Sequence, residues 1–251
     1  MAESVESPVD TPSASDASAP AADGGSALPH PDELFALIEE LYPICRSITG
    51  DGVRKTLAIL GRYIPLTLTE VASGDKVLDW TVPEEWNIRD AYIADTHGRR
   101  VVDFRAHNLH VLNYSTPVHA RLRLQELRPH LHSLPQQPHL IPYRTSYYNK
   151  TGGFCLSQTQ LEGLRDDEYE VCIDATLQPG HLTYAEAVLP GETQDEILIS
   201  AHVCHPSLAN DNLSGLAVAT FLARYLSQRP RRRHTLRFLF APGTIGAITW
   251  L

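Results

Sequence analysis

The spacing of hydrophobic positions predicts two helices near the start of the folded part of the chain. After Asp32, a residue type that favours the N-cap of a helix, apolar residues recur at intervals of three and four. These apolar positions are Leu34, Ile38, Leu41 and Ile44. A second helix is predicted from about Gly52 to Tyr63, after the turn signal TGDG.

Between about Leu66 and Tyr114 the helical spacing gives way to short runs in which apolar and polar residues alternate. Alternation with a period of two is typical of strands with one buried face, and turn sequences such as SGD and DTHG separate the runs. Prolines from Pro129 to Pro142 then mark an irregular segment. We therefore predict a β-rich insertion domain over residues 66–144.

After Tyr147, strand patterns and helix patterns alternate. The runs ILISA and LRFLFA are nearly continuous in apolar residues, which predicts strands covered on both faces, and an amphipathic helix is predicted between them, from about Asn212 to Leu226. This order is typical of α/β domains. The predicted fold class is α/β, a mixed sheet with flanking helices, built from residues 29–65 and 145–251.

Residues 1–28 have a different composition, rich in Ala, Ser, Pro and Asp, without any aromatic residue, Lys or Arg. Such a segment cannot bury enough apolar surface to offset the entropy lost on ordering, so we predict a disordered acidic tail. The last residues, GTIGAITWL, are apolar and lack a capping residue. Because native termini are usually polar and exposed, this ending predicts that the chain is incomplete at its C-terminus.

Charge and composition exclude several classes of partner. The chain of 251 residues carries a formal net charge of -9, which disfavours a nucleic-acid partner. The basic run RPRRRH lies between a predicted helix and a predicted strand and is more typical of a solvated loop than of a nucleic-acid patch. No segment approaches the roughly 20 apolar residues of a membrane span. The four cysteines lack metal-ligand or disulfide spacing, so a cytoplasmic protein with reduced thiols is predicted.

The candidate chemistry lies in AHVCHPSLANDNLSG, residues 201–215. His202 follows an apolar strand, and Asp211 precedes the next helix. Because ligands gather at the carboxyl ends of strands in α/β sheets, both side chains are expected over one crevice, where an imidazole and a carboxylate suit zinc. Asn210 and Asn212 are expected to hold Asp211 by hydrogen bonds. The alternative is that Asp211 only caps a helix and His202 is an ordinary loop histidine.

Two neighbouring residues leave more than one interpretation open. Cys204 is either a thiolate ligand or a small buried residue, and the second interpretation is favoured. His205 is a metal ligand, a substrate-binding residue or a turn residue.

The pattern H-x-x-H-P-S-x-A-N-D-N-x-S-G, between a strand and an amphipathic helix, resembles the metal-binding segment of the M28 family of zinc aminopeptidases. More closely, the chain resembles bacterial DUF4910 proteins, which have an aminopeptidase-like domain carrying a DUF2172 β insertion. Further strings that support this resemblance are LYPICRSITGDGVRKTL, VPEEWNIRDAYI, IPYRTSYY and FAPGTIGAITWL. The resemblance implies a zinc-aminopeptidase-like (phosphorylase/hydrolase-like) fold in which His202 binds zinc and Asp211 bridges two zinc ions.

The sequence departs from the M28 pattern at three places. Cys204, followed by His205, stands where those peptidases have the aspartate of H-x-D. The stretch APGTIG stands where they have a glutamate pair that supplies the general base and a ligand, so no catalytic base is identified. The resemblance also implies further aspartate and histidine ligands beyond Leu251.

Together these observations predict a zinc-dependent, aminopeptidase-like hydrolase with one or two zinc ions, acting on a peptide or another small amide. A metal role is expected for His202 and Asp211, and His205 is a further candidate. Two alternatives remain, a catalytically silent binding module with a peptidase fold and a single-zinc acyl transferase or cyclase.

Overall fold

A computed structural model of the protein describes residues 28–147, 149–229 and 231–251. The predicted tail lies outside these residues apart from Leu28. The helices are α1 Pro31–Leu41, α2 Asp51–Leu60, α3 Leu124–Leu127, α4 Gln158–Glu162, α5 Ser214–Ser227 and α6 Gly243–Trp250. Within the described ranges, no helix is both long and apolar enough to cross a membrane.

The strands alternate irregularly with these helices along the chain. They are β1 Thr67–Ala72, β2 Lys76–Val77, β3 Trp80–Thr81, β4 Glu85–Ala94, β5 Arg100–Asp103, β6 Val118–Arg123, β7 Leu131–His132, β8 Phe154–Cys155, β9 Glu168–Gln178, β10 His181–Leu189, β11 Glu196–His202 and β12 Thr235–Ala241. The run NLHVLNY, expected among the strands, instead contains a short 3-10 turn at Asn108–His110.

The start of α1 differs by two residues from the sequence prediction. His30, rather than Asp32, is the N-cap, because its imidazole accepts the backbone N–H of Asp32 while Glu33 accepts the N–H of His30. Pro31 occupies the first helical position, where its missing N–H costs nothing. The helix ends at Leu41, so Ile44 lies beyond it.

The first sheet has the strand order β1-β10-β12-β11. Strands β11 and β12 run parallel and the other pairs are antiparallel, so the sheet is mixed. Helices α1, α2 and α5 share a continuous apolar core with it, in which the largest side chains include Phe221, Phe238 and Phe240. This arrangement matches the predicted α/β class and fixes the carboxyl ends of β11 and β12 side by side.

Strand β11 lies at one edge of this sheet among the described residues. Ile197 and Leu198 are each 48% exposed, so the prediction that ILISA is covered on both faces is wrong. The physical reason is position, because an edge strand has a neighbour on one side only and its side chains lose part of their cover. The C-terminal half of β12, from Phe238 to Ala241, is buried as predicted.

The second sheet is antiparallel, with the order β5-β4-β9-β6 and its own apolar core around Trp86, Ile93 and Val171. Its strands pair across both predicted insertion boundaries. Strand β1, inside residues 66–144, pairs with β10 of the first sheet, and β9, outside them, lies between β4 and β6. The division at residues 66 and 144 therefore remains a prediction, which strand pairing does not follow.

Candidate metal centre

The candidate centre lies at the carboxyl end of β11, where the chain turns back through Ala209–Leu213 into α5. His202 is the last residue of β11 and pairs with Ala241 of β12. Asp211 has φ -128° and ψ 80°, and its peptide bond with Asn212 is cis. Asp211 therefore precedes α5 as expected, in a turn with non-helical φ and ψ, but α5 begins at Ser214 rather than near Asn212.

The structure brings His202, His205 and Asp211 together. Nε2 of His202 contacts Oδ1 of Asp211 directly, and Nδ1 of His205 lies 4.0 Å from the same oxygen. The candidate ligand atoms of the three residues lie within 4.8 Å of one another. The imidazole and the carboxylate expected over one crevice therefore share it, and His205 joins them.

Exposure and protonation suit this group for a metal ion. The side chain of His202 is 36% exposed, that of Asp211 57% and that of His205 20%, so the group is open to solvent on one side. Burial lowers the pKa of His205, which favours the neutral imidazole that binds metals. Two imidazoles and one carboxylate form a three-residue set of the kind found in catalytic zinc sites, so the residues present fit zinc.

Cys204 lies next to the three candidate ligands, and its thiol is buried and free. Its Sγ accepts a hydrogen bond from the backbone N–H of Gly243 at 3.1 Å and lies 3.5 Å from Nδ1 of His205. Burial raises the pKa of Cys204 to about 11, so the thiol stays protonated at neutral pH. Of the two interpretations of Cys204, the geometry favours the small buried residue. It connects residues 203–208, which follow β11 and are called the histidine loop, to the start of α6.

The expected hydrogen bonds from Asn210 and Asn212 to the carboxylate of Asp211 are not formed. Asn212 donates from Nδ2 to the carbonyl oxygen of His202 at 3.5 Å, and Asn210 is exposed. A Cβ added at Gly215 would lie 2.1 Å from Oδ1 of Asn212, so this glycine makes room for the amide. Asn212 therefore ties the turn to the end of β11 through the backbone rather than through the carboxylate.

Two residues that sequence reasoning missed support the loop. Arg46 is 1% exposed and donates from Nε to the carbonyl oxygen of His205 at 2.8 Å. Burial lowers its pKa to about 10, which leaves it charged at neutral pH. The ring of Tyr143 packs edge-to-face on His205 with 5.1 Å between centroids. An arginine inside the mostly apolar run YPICRSI was the available signal, because buried charges need specific partners.

A cavity of ≈ 350 Å³ opens beside the three candidate ligands. Ile48, Tyr147 and Ile245 line it together with the small residues at the start of α6. Among the described residues that line this cavity, Asp211 is the sole carboxylate. The site therefore has candidate ligands and an apolar wall, but the lining offers no second carboxylate as a general base.

Comparisons with known proteins identify the family and the fold of the chain. The model of the DUF4910 domain of unknown function matches residues 35–251. A Clostridium acetobutylicum protein, provisionally named a polysaccharide biosynthesis protein with an aminopeptidase-like domain, is 55% identical over 219 residues, which is 87% of this chain and 50% of that protein. This chain thus spans about half the length of that relative.

Solved structures show the same fold. The crystal structure of a C. acetobutylicum protein, provisionally described as a peptidase, superposes with a TM-score of 0.86 at 55% identity, covering 88% of this chain and 52% of the other. BSAP, a zinc aminopeptidase from Bacillus subtilis, superposes with a TM-score of 0.54 at 14% identity, covering 87% and 62%. The predicted zinc-aminopeptidase-like fold is confirmed.

Proposed function

Because this chain belongs to the DUF4910 family and has the fold of zinc aminopeptidases, we propose that it forms a zinc-dependent site for the hydrolysis of an amide bond. The observation that carries the proposal is the convergence of His202, His205 and Asp211 at the mouth of one cavity. The 55% identical relative, described as having an aminopeptidase-like domain, supports the same class of chemistry.

Each of the three residues has a defined part in this site. His202 and His205 would each offer an imidazole nitrogen to the ion, and Asp211 would offer a carboxylate oxygen. When bound, zinc supplies a Lewis acid that polarises an amide carbonyl and makes water more acidic. The hydrogen bond from Arg46 to the carbonyl oxygen of His205 keeps that histidine in place beside Asp211.

Proton transfer is the step for which the described cavity lining has no dedicated group. Positioned acid–base groups typically contribute about two to four orders of magnitude in rate. We therefore expect turnover by this chain to be slower by about that factor than in a site that has a general base. The same observation favours a second function, in which the cavity binds an amide without cleaving it.

The substrate is a peptide or another small amide. The relative named for polysaccharide biosynthesis adds amide-bearing sugars to the compounds worth testing. A panel that contains aminoacyl p-nitroanilides and N-acylated amino sugars therefore covers both possibilities, and turnover of either class distinguishes an enzyme from a binding module.

Zinc binding by the unmodified chain and two variants tests the proposal. We expect the purified chain to bind zinc. Mutation of a residue that merely supports a metal ligand typically lowers metal affinity roughly 10- to 100-fold, so we expect His202→Ala to lower the zinc affinity by at least that factor. His97→Ala is the matched control, because this exposed histidine lies outside the cluster, and its affinity should equal that of the unmodified chain. Isothermal titration with a competing chelator measures all three. Equal affinity in His202→Ala and the unmodified chain would refute the metal centre.

A further inference from the structure

We infer that Ile48, Tyr147 and Ile245 form an apolar subsite that selects amides of short, uncharged acyl groups. The inference rests on the proposed function, since the acyl group is placed beside the candidate zinc ligands. It goes further by naming the part of the substrate that the cavity recognises and the residues that recognise it.

The wall comes from three separate parts of the chain. Ile48 lies between α1 and α2, Tyr147 follows the proline-rich segment, and Ile245 belongs to α6. Ile48 is 3% exposed and is part of the apolar core of the second sheet, against which Tyr147 and Ile245 pack. Because the core fixes these side chains, the wall is a preformed surface, as is typical of small-molecule sites.

The hydroxyl of Tyr147 has a partner within the protein. It lies 2.8 Å from the hydroxyl of Tyr143, whose ring packs on His205. A ligand therefore meets Tyr147 mainly as an aromatic surface beside two isoleucines. Burying methylene groups against such a surface is favourable, at about 0.8 kcal/mol each, which corresponds to about fourfold in affinity.

Charge in the cavity excludes ionised acyl groups. Among the described lining residues, Asp211 is the sole acidic side chain, and it already contacts His202; no Lys or Arg lines the cavity there. On an acyl chain packed against the apolar wall, an ammonium would lose hydration and be repelled by zinc, and a carboxylate would lose hydration without a Lys or Arg beside it. The substrate class is therefore an amide of an uncharged acyl group rather than an aminoacyl amide.

Size limits the length of the acyl chain. The volume of ≈ 350 Å³ is near the lower end of the range of about 300–1,000 Å³ for ligand pockets, and the candidate ligands share it. A chain of a few carbons fits between the metal ligands and the wall, whereas a longer chain has to leave the cavity.

Hydroxamic acids, which chelate zinc and carry an acyl chain, test the subsite by direct binding. With zinc-loaded protein we expect affinity to rise about fourfold per methylene from aceto- to propiono- to butyrohydroxamate, and to fall for octanohydroxamate. Alanine hydroxamate, which adds an ammonium to the carbon chain of propionohydroxamate, should bind more weakly than that compound. Calorimetry or displacement of a fluorescent hydroxamate measures each affinity.

Two substitutions at one position separate the ring from the hydroxyl. Tyr147→Phe keeps the ring and should leave the chain-length series unchanged. Tyr147→Ala opens the wall and should move the optimum to longer chains. Circular dichroism and thermal unfolding establish that each variant is folded, and Ile245→Ala, at a partly buried position, gives the same expected shift if Tyr147→Ala does not fold.

The outcomes distinguish the two proposals. If the protein binds no zinc, or if acetohydroxamate binds equally with and without zinc, the proposed function fails and the subsite falls with it. If zinc and acetohydroxamate bind as expected but chain length and the ammonium have no effect, the subsite alone is refuted. An unchanged series in folded Tyr147→Ala also refutes it.

Discussion

Gly215 is a glycine near the candidate centre that has no room for a larger side chain. A Cβ at this position would lie 2.1 Å from Oδ1 of Asn212, whose amide also contacts the backbone of His202. We expect Gly215→Ala to lower the free energy of unfolding by about 1–3 kcal/mol, the usual cost of overpacking. The better helix propensity of Ala offsets at most about 1 kcal/mol of this. Urea unfolding measures the change.

Gly243→Ala is the matched control for this substitution. A Cβ there would meet only Sγ of Cys204, at an ordinary contact distance of 3.5 Å. We expect its unfolding free energy to stay close to that of the unmodified chain. A similar loss in both variants would show that the close approach of Asn212 is not the cause.

Single residues also show what the sequence can and cannot predict about the site. Candidate ligand types are readable from His202 and Asp211, because few side chains bind zinc and ligands gather at the carboxyl ends of strands in α/β sheets. The partners of neighbouring polar groups are not readable. Asn212 was expected to hydrogen-bond to the carboxylate of Asp211 and donates to a backbone carbonyl oxygen instead. The identity of a polar side chain does not specify which acceptor it meets, and only coordinates do.

Arg46 hydrogen-bonds to three parts of the chain. Its substitution is expected to weaken the attachment of the loop that contains His205. Its guanidinium donates to the carbonyl oxygens of Leu41, at the end of α1, and of His205, after β11, and to the hydroxyl of Thr56 in α2. Arg46→Met removes the donor to the carbonyl oxygen of His205, and leaving such an acceptor unpaired costs about 1–3 kcal/mol. The carbonyl oxygen of Leu41 keeps the N–H of Ile44, and the hydroxyl of Thr56 keeps the carbonyl oxygen of Gly52. We expect a clear loss of stability in urea unfolding and weaker zinc binding in calorimetry.

Arg62→Met provides the comparison for Arg46→Met. Arg62 pairs with Glu40 at the surface, and exposed ion pairs contribute about 0–1 kcal/mol. The stability and zinc affinity of Arg62→Met should therefore be close to those of the unmodified chain. If Arg46→Met lost stability but kept full zinc affinity, Arg46 would hold the helices together without positioning the histidine loop.

At the level of elements, the order of helices and strands could be predicted, but their neighbours could not. Periodicity identifies α1, α2, α5 and the strands around them because it reports which faces are buried. It does not report lateral pairing. Strand β11 has an apolar run typical of a central strand, yet it lies at an edge among the described residues, where Ile197 and Leu198 are half-exposed.

The stability of the whole molecule should fall in mildly acidic solution. Burial lowers the pKa of three histidines remote from the candidate centre, His107, His110 and His132, from the ordinary value of 6.5. Below about pH 6.5 the unfolded chain therefore binds more protons than the folded chain, and protonation favours unfolding. The free energy of unfolding is expected to be highest above this pH. It decreases as the pH falls towards and through the lowered histidine pKa values of the folded protein.

Urea unfolding of the metal-free protein at pH 7.5, 6.5 and 5.5 measures this dependence. Carboxylates contribute at more acidic pH: although burial opposes it, hydrogen bonds from Arg54 and the backbone of His181 hold the pKa of Glu85 at about 2. In His132→Gln, the free energy of unfolding should decrease less between pH 7.5 and pH 5.5. A free energy of unfolding that stays constant or increases as the pH falls over this interval would contradict the expected role of the buried histidines.

At the scale of the whole chain, the fold class was predictable, whereas the strand pairing across the predicted boundaries was not. Alternating strands and helices indicate a mixed α/β sheet, which the solved relatives share. Residues 66 and 144 were chosen where the local pattern changes. The pairing of β1 with β10, and of β9 with β4 and β6, joins segments far apart in the chain, and local patterns carry no information on such contacts.

The candidate ligands occupy one stretch of ten positions, from His202 to Asp211, whereas the apolar wall comes from three distant segments. In the proposed site, ion binding and substrate choice would therefore be encoded in different parts of the gene. Mutation of the wall would change selectivity over generations while the proposed ion-binding residues are inherited intact. The same separation makes positions 48, 147 and 245 a compact library for testing new amide preferences on a constant proposed metal centre.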